Sequence, residues 1–146
     1  MWQFLGQFEI PVDDKGRVFV PVELRRKMPP EAADTLIVTR GFDRCLIAYP
    51  LPEWEKVAAK IMQLPQTDPD ARMLVRSMLS QAAETRLDRQ GRIAVPKMLL
   101  GRAGIADRMV IVGQLTRMEM WNPADWQPTL EEADGKMERV ARNYML

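Results

Sequence analysis

One phrase occurs twice in this chain. Asp13-Asp14-Lys15-Gly16-Arg17-Val18-Phe19-Val20-Pro21 returns as Asp88-Arg89-Gln90-Gly91-Arg92-Ile93-Ala94-Val95-Pro96, with Asp, Gly, Arg, Val and Pro kept in place. A repeat of this kind constrains the fold more than composition does, because each copy is one supersecondary unit that must bury its apolar face against something, and the other copy is at hand. The echo continues downstream. Leu24, Leu36-Ile37-Val38-Thr39, Gly41, Leu46-Ile47-Ala48-Tyr49 and Trp54 are matched by Leu99, Met109-Val110-Ile111-Val112, Gly113, Met118-Glu119-Met120-Trp121 and Trp126. The spacing shortens along the second copy, as shorter connecting loops produce.

Each copy reads as strand, tight turn, strand, short helix, strand, turn, strand, helix. Apolar residues alternate in Phe8–Val12 and again in Arg17–Val20, and Asp-Asp-Lys-Gly between them predicts a hairpin with Gly16 at positive φ. Gly91 takes the same place in the second copy. Pro21 and Pro96 end the second strand and suit the start of a helix, where a missing N–H costs nothing, so Val22–Lys27 and Lys97–Arg102 are read as short helices. Helical spacing of Trp54, Val57, Ala58 and Ile61 predicts a helix over Pro52–Leu64. The pattern Leu74, Val75, Met78, Leu79, Ala82 predicts another over Asp70–Ala83, with a cap supplied by Gln66-Thr67-Asp68-Pro69. Thr129–Leu146 is polar and helix-competent. The expected fold class is mainly β with α (α+β): two hairpin-helix units whose open sheet edges interleave into one shared β-structure, a pseudo-dimer within a single chain. The expected divisions are a first repeat at 5–54, connecting helices at 55–83, a second repeat at 84–126 and a helical tail at 127–146.

With 146 residues, 47% of them hydrophobic, the chain can fill one domain or two closely packed halves of about 70 residues, each marginal alone. The apolar runs are too short to span a bilayer, and MWQFLGQFEIP lacks the basic and apolar regions of a secretory leader, which gives a cytoplasmic expectation. The one cysteine, Cys45, fits a reducing compartment and a small buried side chain. There is no histidine, so a Ser-His-Asp or Cys-His nucleophile cannot be built and most zinc sites lose their usual ligand. These facts point away from an enzyme, from a metal or other cofactor, and from a small-molecule substrate.

The net charge is only +1, so a nucleic-acid reading rests on local clustering. Lys15, Arg17, Arg25, Arg26 and Lys27 lie close together in the first copy, opposed by Glu23, whereas the second copy has Gln90 for Lys15 and Leu100 for Arg25. On shape alone two readings fit the repeated phrase. One is a purely structural hairpin held by the Asp13–Arg17 and Asp88–Arg92 pairs. The other is a two-stranded ribbon for the DNA major groove, with arginines beside the turns reaching guanine and the basic cluster contacting phosphates. A convergence of Asp13, Asp14 and Asp88 around a metal, as in a carboxylate hydrolase, is a third and weaker alternative.

Four spaced segments, Asp13–Pro21, Tyr49–Trp54, Asp68–Arg72 and Asp88–Arg92, together resemble the MraZ family of bacterial transcriptional regulators, built from two AbrB-like (SpoVT-AbrB) repeats. The resemblance covers roughly residues 5 to 126. It implies a duplicated swapped-hairpin AbrB-like β-barrel with flanking helices, a ring-shaped homo-oligomer and association with the nucleoid. It also implies repression of the division and cell wall gene cluster through direct repeats in promoter DNA. The family's Asp-x-x-x-Arg motif falls on Asp13 with Arg17 and on Asp88 with Arg92, and its DNA-binding arginine falls on Arg17. Lys15, Arg17, Arg25, Arg26 and Arg92 are therefore the expected contacts to double-stranded DNA, with Asp13, Gly16, Asp88 and Gly91 as structural motif residues. An antitoxin-like AbrB module acting mainly on a protein partner is the alternative within this resemblance.

Overall fold

The computed structural model describes residues 3–146; Met1 and Trp2, the start of the stretch read for a leader, lie outside the described residues. The first repeat contains β1 (Gln7–Pro11), β2 (Arg17–Phe19), α1 (Val22–Arg25), a 3-10 turn (Pro30–Ala32), β3 (Thr35–Arg40) and β4 (Leu46–Pro50). Two helices follow, α2 (Leu51–Met62) and α3 (Pro69–Leu79). The second repeat contains β5 (Ala83–Arg86), β6 (Arg92–Ala94), α4 (Lys97–Arg102), β7 (Arg108–Gln114) and β8 (Arg117–Trp121), and the chain ends in α5 (Pro123–Asp134) and α6 (Met137–Asn143).

The sheet order explains why the repeat exists. Six antiparallel strands run β1-β7-β8-β4-β3-β5, and β2 pairs with β6 in a separate ribbon. Exchanging each strand for its counterpart in the other repeat returns the same order reversed, so a pseudo-two-fold axis passes between β4 and β8. The registers obey it. Val18 lies opposite Ile93 and Ile47 opposite Glu119, each residue facing its own repeat counterpart. The first strand of each repeat is donated to the other repeat's hairpin: β1 pairs with β7 and β5 with β3. The hairpin expected at Gly16 therefore closes only at its turn, where the Asp13 N–H donates to the Arg17 carbonyl at 3.1 Å; beyond that point β1 leaves for β7 and β2 for β6. This exchange covers the edges that β3 and β7 would expose in an isolated hairpin-helix unit, and leaves the short strands β1 and β5 as the outer edges of the six-stranded sheet.

The barrel expected from the sequence consists of the six-stranded sheet with the ribbon packed on one face, and the two share one core. Val18, Val20, Ile93 and Val95 from the ribbon strands, Leu24 from α1, and Leu99 and Leu100 from α4 meet Leu36, Val38, Leu46, Met109, Ile111, Met118 and Met120 from the sheet. Each such side chain removed from water stabilises the fold by roughly 1.5–3 kcal/mol. The alternate residues of β3, Ile37 and Thr39, face α2 and α3 on the opposite side. There the Thr39 hydroxyl donates to the Met78 carbonyl at 2.8 Å and an Arg40 guanidinium nitrogen donates to the Ser77 hydroxyl at 2.9 Å. Strands buried on both faces account for the nearly continuous apolar runs of β3 and β4.

Several details refine the expected elements. Pro21 and Pro96 stand one position before their helices, and the Pro21 carbonyl accepts from Leu24 and Arg25. Asp68 caps α3 through a 2.9 Å bond from the Asp70 N–H. That helix stops at Leu79 rather than running to Ala83, because Ala83 opens β5 and pairs with Val38: tertiary pairing overrides the helical spacing. Thr129–Leu146 does not form one helix; α5 begins at Pro123, capped by Asn122, and breaks at Gly135. Trp54 and Trp126 anchor their helices to the sheet as equivalent tilted pairs, Tyr49–Trp54 at 5.7 Å and Trp121–Trp126 at 5.4 Å. Cys45 is buried, and burial pushes its thiol up to about 12, so it has little thiolate character at neutral pH.

Candidate nucleic-acid interface

Alternation along the ribbon separates two faces. Val18, Val20, Ile93 and Val95 point into the core, which places Arg17, Phe19, Arg92 and Ala94 on the outward face. Across the ribbon Arg17 lies opposite Ala94 and Phe19 opposite Arg92. Arg92 sets its guanidinium 5.7 Å from the Phe19 ring centroid, whereas Arg17 has only a methyl group across from it.

Each end of the ribbon is a turn folded around an aspartate. Asp13 Oδ1 accepts the Lys15 and Arg17 backbone N–H groups at 2.9 and 2.8 Å, and its Oδ2 accepts Arg17 Nε at 2.7 Å. Asp88 repeats the pattern with Gln90, Arg92 and Arg92 Nε, all at 2.9 Å. Gly16 and Gly91 occupy φ +78° and +81°, which is why the phrase keeps glycine there. The Arg17 N–H bond, together with the Arg17 side chain and the Lys15 N–H, holds the Asp13 carboxyl down at about 2; the Arg92 and Gln90 contacts lower Asp88 in the same way. Both acids are thus fully ionised at neutral pH and orient an arginine by its Nε. The terminal nitrogens of that arginine remain available to a ligand. Lys15 sits exposed at the tip of its turn, where the second copy has Gln90.

The expected basic cluster does not form a single patch. Because β2 runs antiparallel to β6, α1 begins beside the other repeat's turn: the Val20 N–H donates to the Gly91 carbonyl at 3.0 Å. Arg25 donates from Nε to the Val20 carbonyl at 2.7 Å, and its guanidinium lies directly over Gly91. Arg25 and Arg26 therefore share a cleft with Arg89 and Gly91, while Lys15 and Arg17 stand at the Gly16 end. Leu100 covers Gly16 in the equivalent position. Proximity in sequence grouped residues that the strand exchange separates. Sequence reasoning also passed over Phe19, which its outward place in the alternation could have revealed, and Arg89, whose neighbours come from the other repeat.

The acids of the hydrolase alternative do not converge, since Asp13 and Asp88 are each engaged in their own turn. Among the described residues there is no group of three or more His, Cys, Asp or Glu side chains that could hold a metal ion. Among the described residues no helix is long and apolar enough to cross a membrane.

Comparison with known proteins agrees with this architecture. The family model described as "MraZ protein, putative antitoxin-like" matches twice, over residues 3–77 and 78–144, in keeping with the two interleaved repeats. The chain belongs to the MraZ family. It is 39% identical over 142 residues to the transcriptional regulator MraZ of Pediococcus pentosaceus, a match that covers 97% of this chain and 96% of that protein. It is likewise 39% identical, with the same coverage, to the transcriptional regulator MraZ of Natranaerobius thermophilus, and 37% identical to that of Ligilactobacillus salivarius. These relatives carry the name of a regulator, not of an enzyme.

Proposed function

We propose that this chain is a sequence-specific DNA-binding transcriptional repressor of the division and cell wall gene cluster. It acts in the cytoplasm on the nucleoid and binds promoter direct repeats as a ring-shaped homo-oligomer. The observation that carries the reading is the outward ribbon face, where Asp13 and Asp88 pre-orient Arg17 and Arg92 and Lys15 extends from one tip. A two-stranded ribbon fits the major groove, and an arginine whose Nε is already tied down presents its remaining fork to guanine O6 and N7 at little further entropic cost. Lys15 and Arg17 are the principal base-edge contacts, and Arg92 lies farther along the same face. Repeats 5–54 and 84–126 form the DNA-binding body in this reading.

Self-association has support of its own. Neither α2 nor α3 contains a buried residue, and Met62, Met73, Leu74 and Leu79 are exposed along them. Apolar helix faces of this kind are suited to a neighbouring subunit. A head-to-tail ring presents its ribbons in one orientation, which matches direct repeats, whereas a two-fold dimer favours palindromes.

The test is binding of the purified protein to a fluorescent duplex of the promoter upstream of its own gene, beside a scrambled duplex, over a range of salt. Selective, salt-sensitive binding is expected, and Arg17→Ala should abolish the selectivity while the fold and oligomeric state stay unchanged. An Arg17→Ala protein that binds the operator at wild-type affinity overturns the assignment of that residue. Wild-type protein that binds both duplexes equally overturns the repressor reading.

A further inference from the structure

We propose that the Gly91 end of the ribbon is a seat for a DNA backbone phosphate, assembled across the two repeats from Arg25 and Arg26 of the first and Arg89 of the second. The inference rests on the DNA-binding reading and adds Arg89 to it. Arg25, Arg26 and Arg89 line a shallow open cleft of about 440 Å³ with Val22, Asp34, Leu87, Asp88 and Gly91. Of the two acids in this lining, Asp88 is already paired with Arg92 and accepts two backbone N–H groups, which leaves Asp34 as the acid facing the three guanidinium groups. Arg25 is anchored through Nε to the Val20 carbonyl, and its guanidinium occupies the space that a Cβ at Gly91 would need. Arg26 and Arg89 are exposed.

The pseudo-two-fold provides an internal control. At the Gly16 end the residues equivalent to Arg25, Arg26 and Arg89 are Leu100, Gly101 and Asp14, with Lys97 in place of Val22. One end of the ribbon therefore gathers three guanidinium groups, and the other gathers a leucine, a glycine and an aspartate. The phosphate seat and the base-reading Lys15 and Arg17 thus stand at opposite ends of one ribbon, so loss of the seat weakens binding to any duplex alike.

The experiment uses the full chain with the operator and scrambled duplexes, measuring affinity against salt for Arg89→Ala and Arg25→Leu. The second substitution copies Leu100, which already covers Gly16 in the same position, so the fold has a template for it; thermal melts check that both variants fold. Each variant should weaken binding to both duplexes by the same factor and flatten the log K against log salt slope by about 1 for each protomer engaged. Arg17→Ala should instead lower operator binding selectively. Wild-type slopes and affinities for both variants overturn the seat, as does a loss confined to the operator, which would make these arginines base readers. If the wild-type protein binds neither duplex, the DNA-binding reading itself fails. If Arg17 is needed for selectivity while Arg89 and Arg25 are dispensable, only this inference fails.

Discussion

The two turns of the ribbon share a backbone and differ in nearly everything around it. At both, an aspartate accepts two N–H groups and an arginine Nε, and a glycine holds positive φ. Yet Gly16 is covered by Leu100 and tipped by Lys15, whereas Gly91 is covered by Arg25 and flanked by Arg89. Strand exchange is what allows this divergence. Each short helix packs on the other repeat's turn, so a change in one helix re-equips a turn it is not adjacent to in sequence. The backbone requirement keeps Asp, Gly and Arg at both places; the covering residues carry no such requirement and are the ones that vary.

The largest expected effects probe what the two halves share. Leu24 and Leu99 are equivalent and fully buried, at 1% and 0% exposure, in the same core cluster. Leu24→Ala and Leu99→Ala should each cost about 2–5 kcal/mol. Because β1 and β5 are exchanged, neither half has a complete sheet by itself, so both variants should shift a single unfolding transition. Two separate transitions in calorimetry, one moved by each variant, would break the picture of an interleaved core.

Smaller effects distinguish the turns. An alanine at either glycine must adopt a left-handed backbone, at roughly 1–2 kcal/mol. At Gly16 the new Cβ would also fall 2.5 Å from the Val95 carbonyl oxygen, which is backbone, and relieving that contact disturbs the 2.9 Å bond from the Val95 N–H to the Gly16 carbonyl. At Gly91 the Cβ would meet the Arg25 guanidinium at 2.6 Å, the far end of a flexible side chain that can move aside. Gly16→Ala should therefore be the more destabilising in a denaturant titration, by about 1 kcal/mol for the weakened ribbon bond. Equal losses would mean that the cover residues do not differ in rigidity.

Much of this architecture is legible in the sequence. The repeated phrase reveals the duplication, the alternation reveals the strands, and Asp68 and Gly16 carry local instructions that need no tertiary context. Which strands pair is harder to read, because Gln7–Pro11 has the same alternation whether it bonds to β2 or to β7; the apolar pattern sets the face, not the partner. The misplaced end of α3 has the same origin, since Ala82 and Ala83 continue a helical spacing until the vacant edge of β3 claims them. For the candidate site, the aspartate-arginine turns follow from the repeat itself. The regrouping of Arg25 and Arg26 with Arg89 does not, as it depends on a contact between residues far apart in sequence.

The smallest expected effect lies in the aspartates themselves. Asp13 has its carboxyl lowered from 3.8 to about 2, chiefly by the Arg17 N–H and side chain, and Asp88 is lowered by the same kind of contacts. A carboxyl that is more acidic in the folded state binds protons less readily there than in the unfolded chain, so it stabilises the fold above its unfolded value. That contribution fades as pH falls from about 4 to about 2. Both groups are solvent-accessible, so the effect is a modest one. Asp13→Asn retains an oxygen for the Lys15 and Arg17 N–H groups but loses the charge that holds Arg17 Nε at 2.7 Å. Its melting temperature should lie slightly below wild type at pH 7, and the gap should close as the pH approaches 2. Asp88→Asn should behave alike with a smaller gap, because Arg92 bonds at 2.9 Å and also rests on Phe19. A gap for Asp13→Asn that stays constant from pH 7 to pH 2 would show that the aspartate acts through the shape of the turn alone, and that the charge it places beside Arg17 contributes nothing to holding the ribbon's ends.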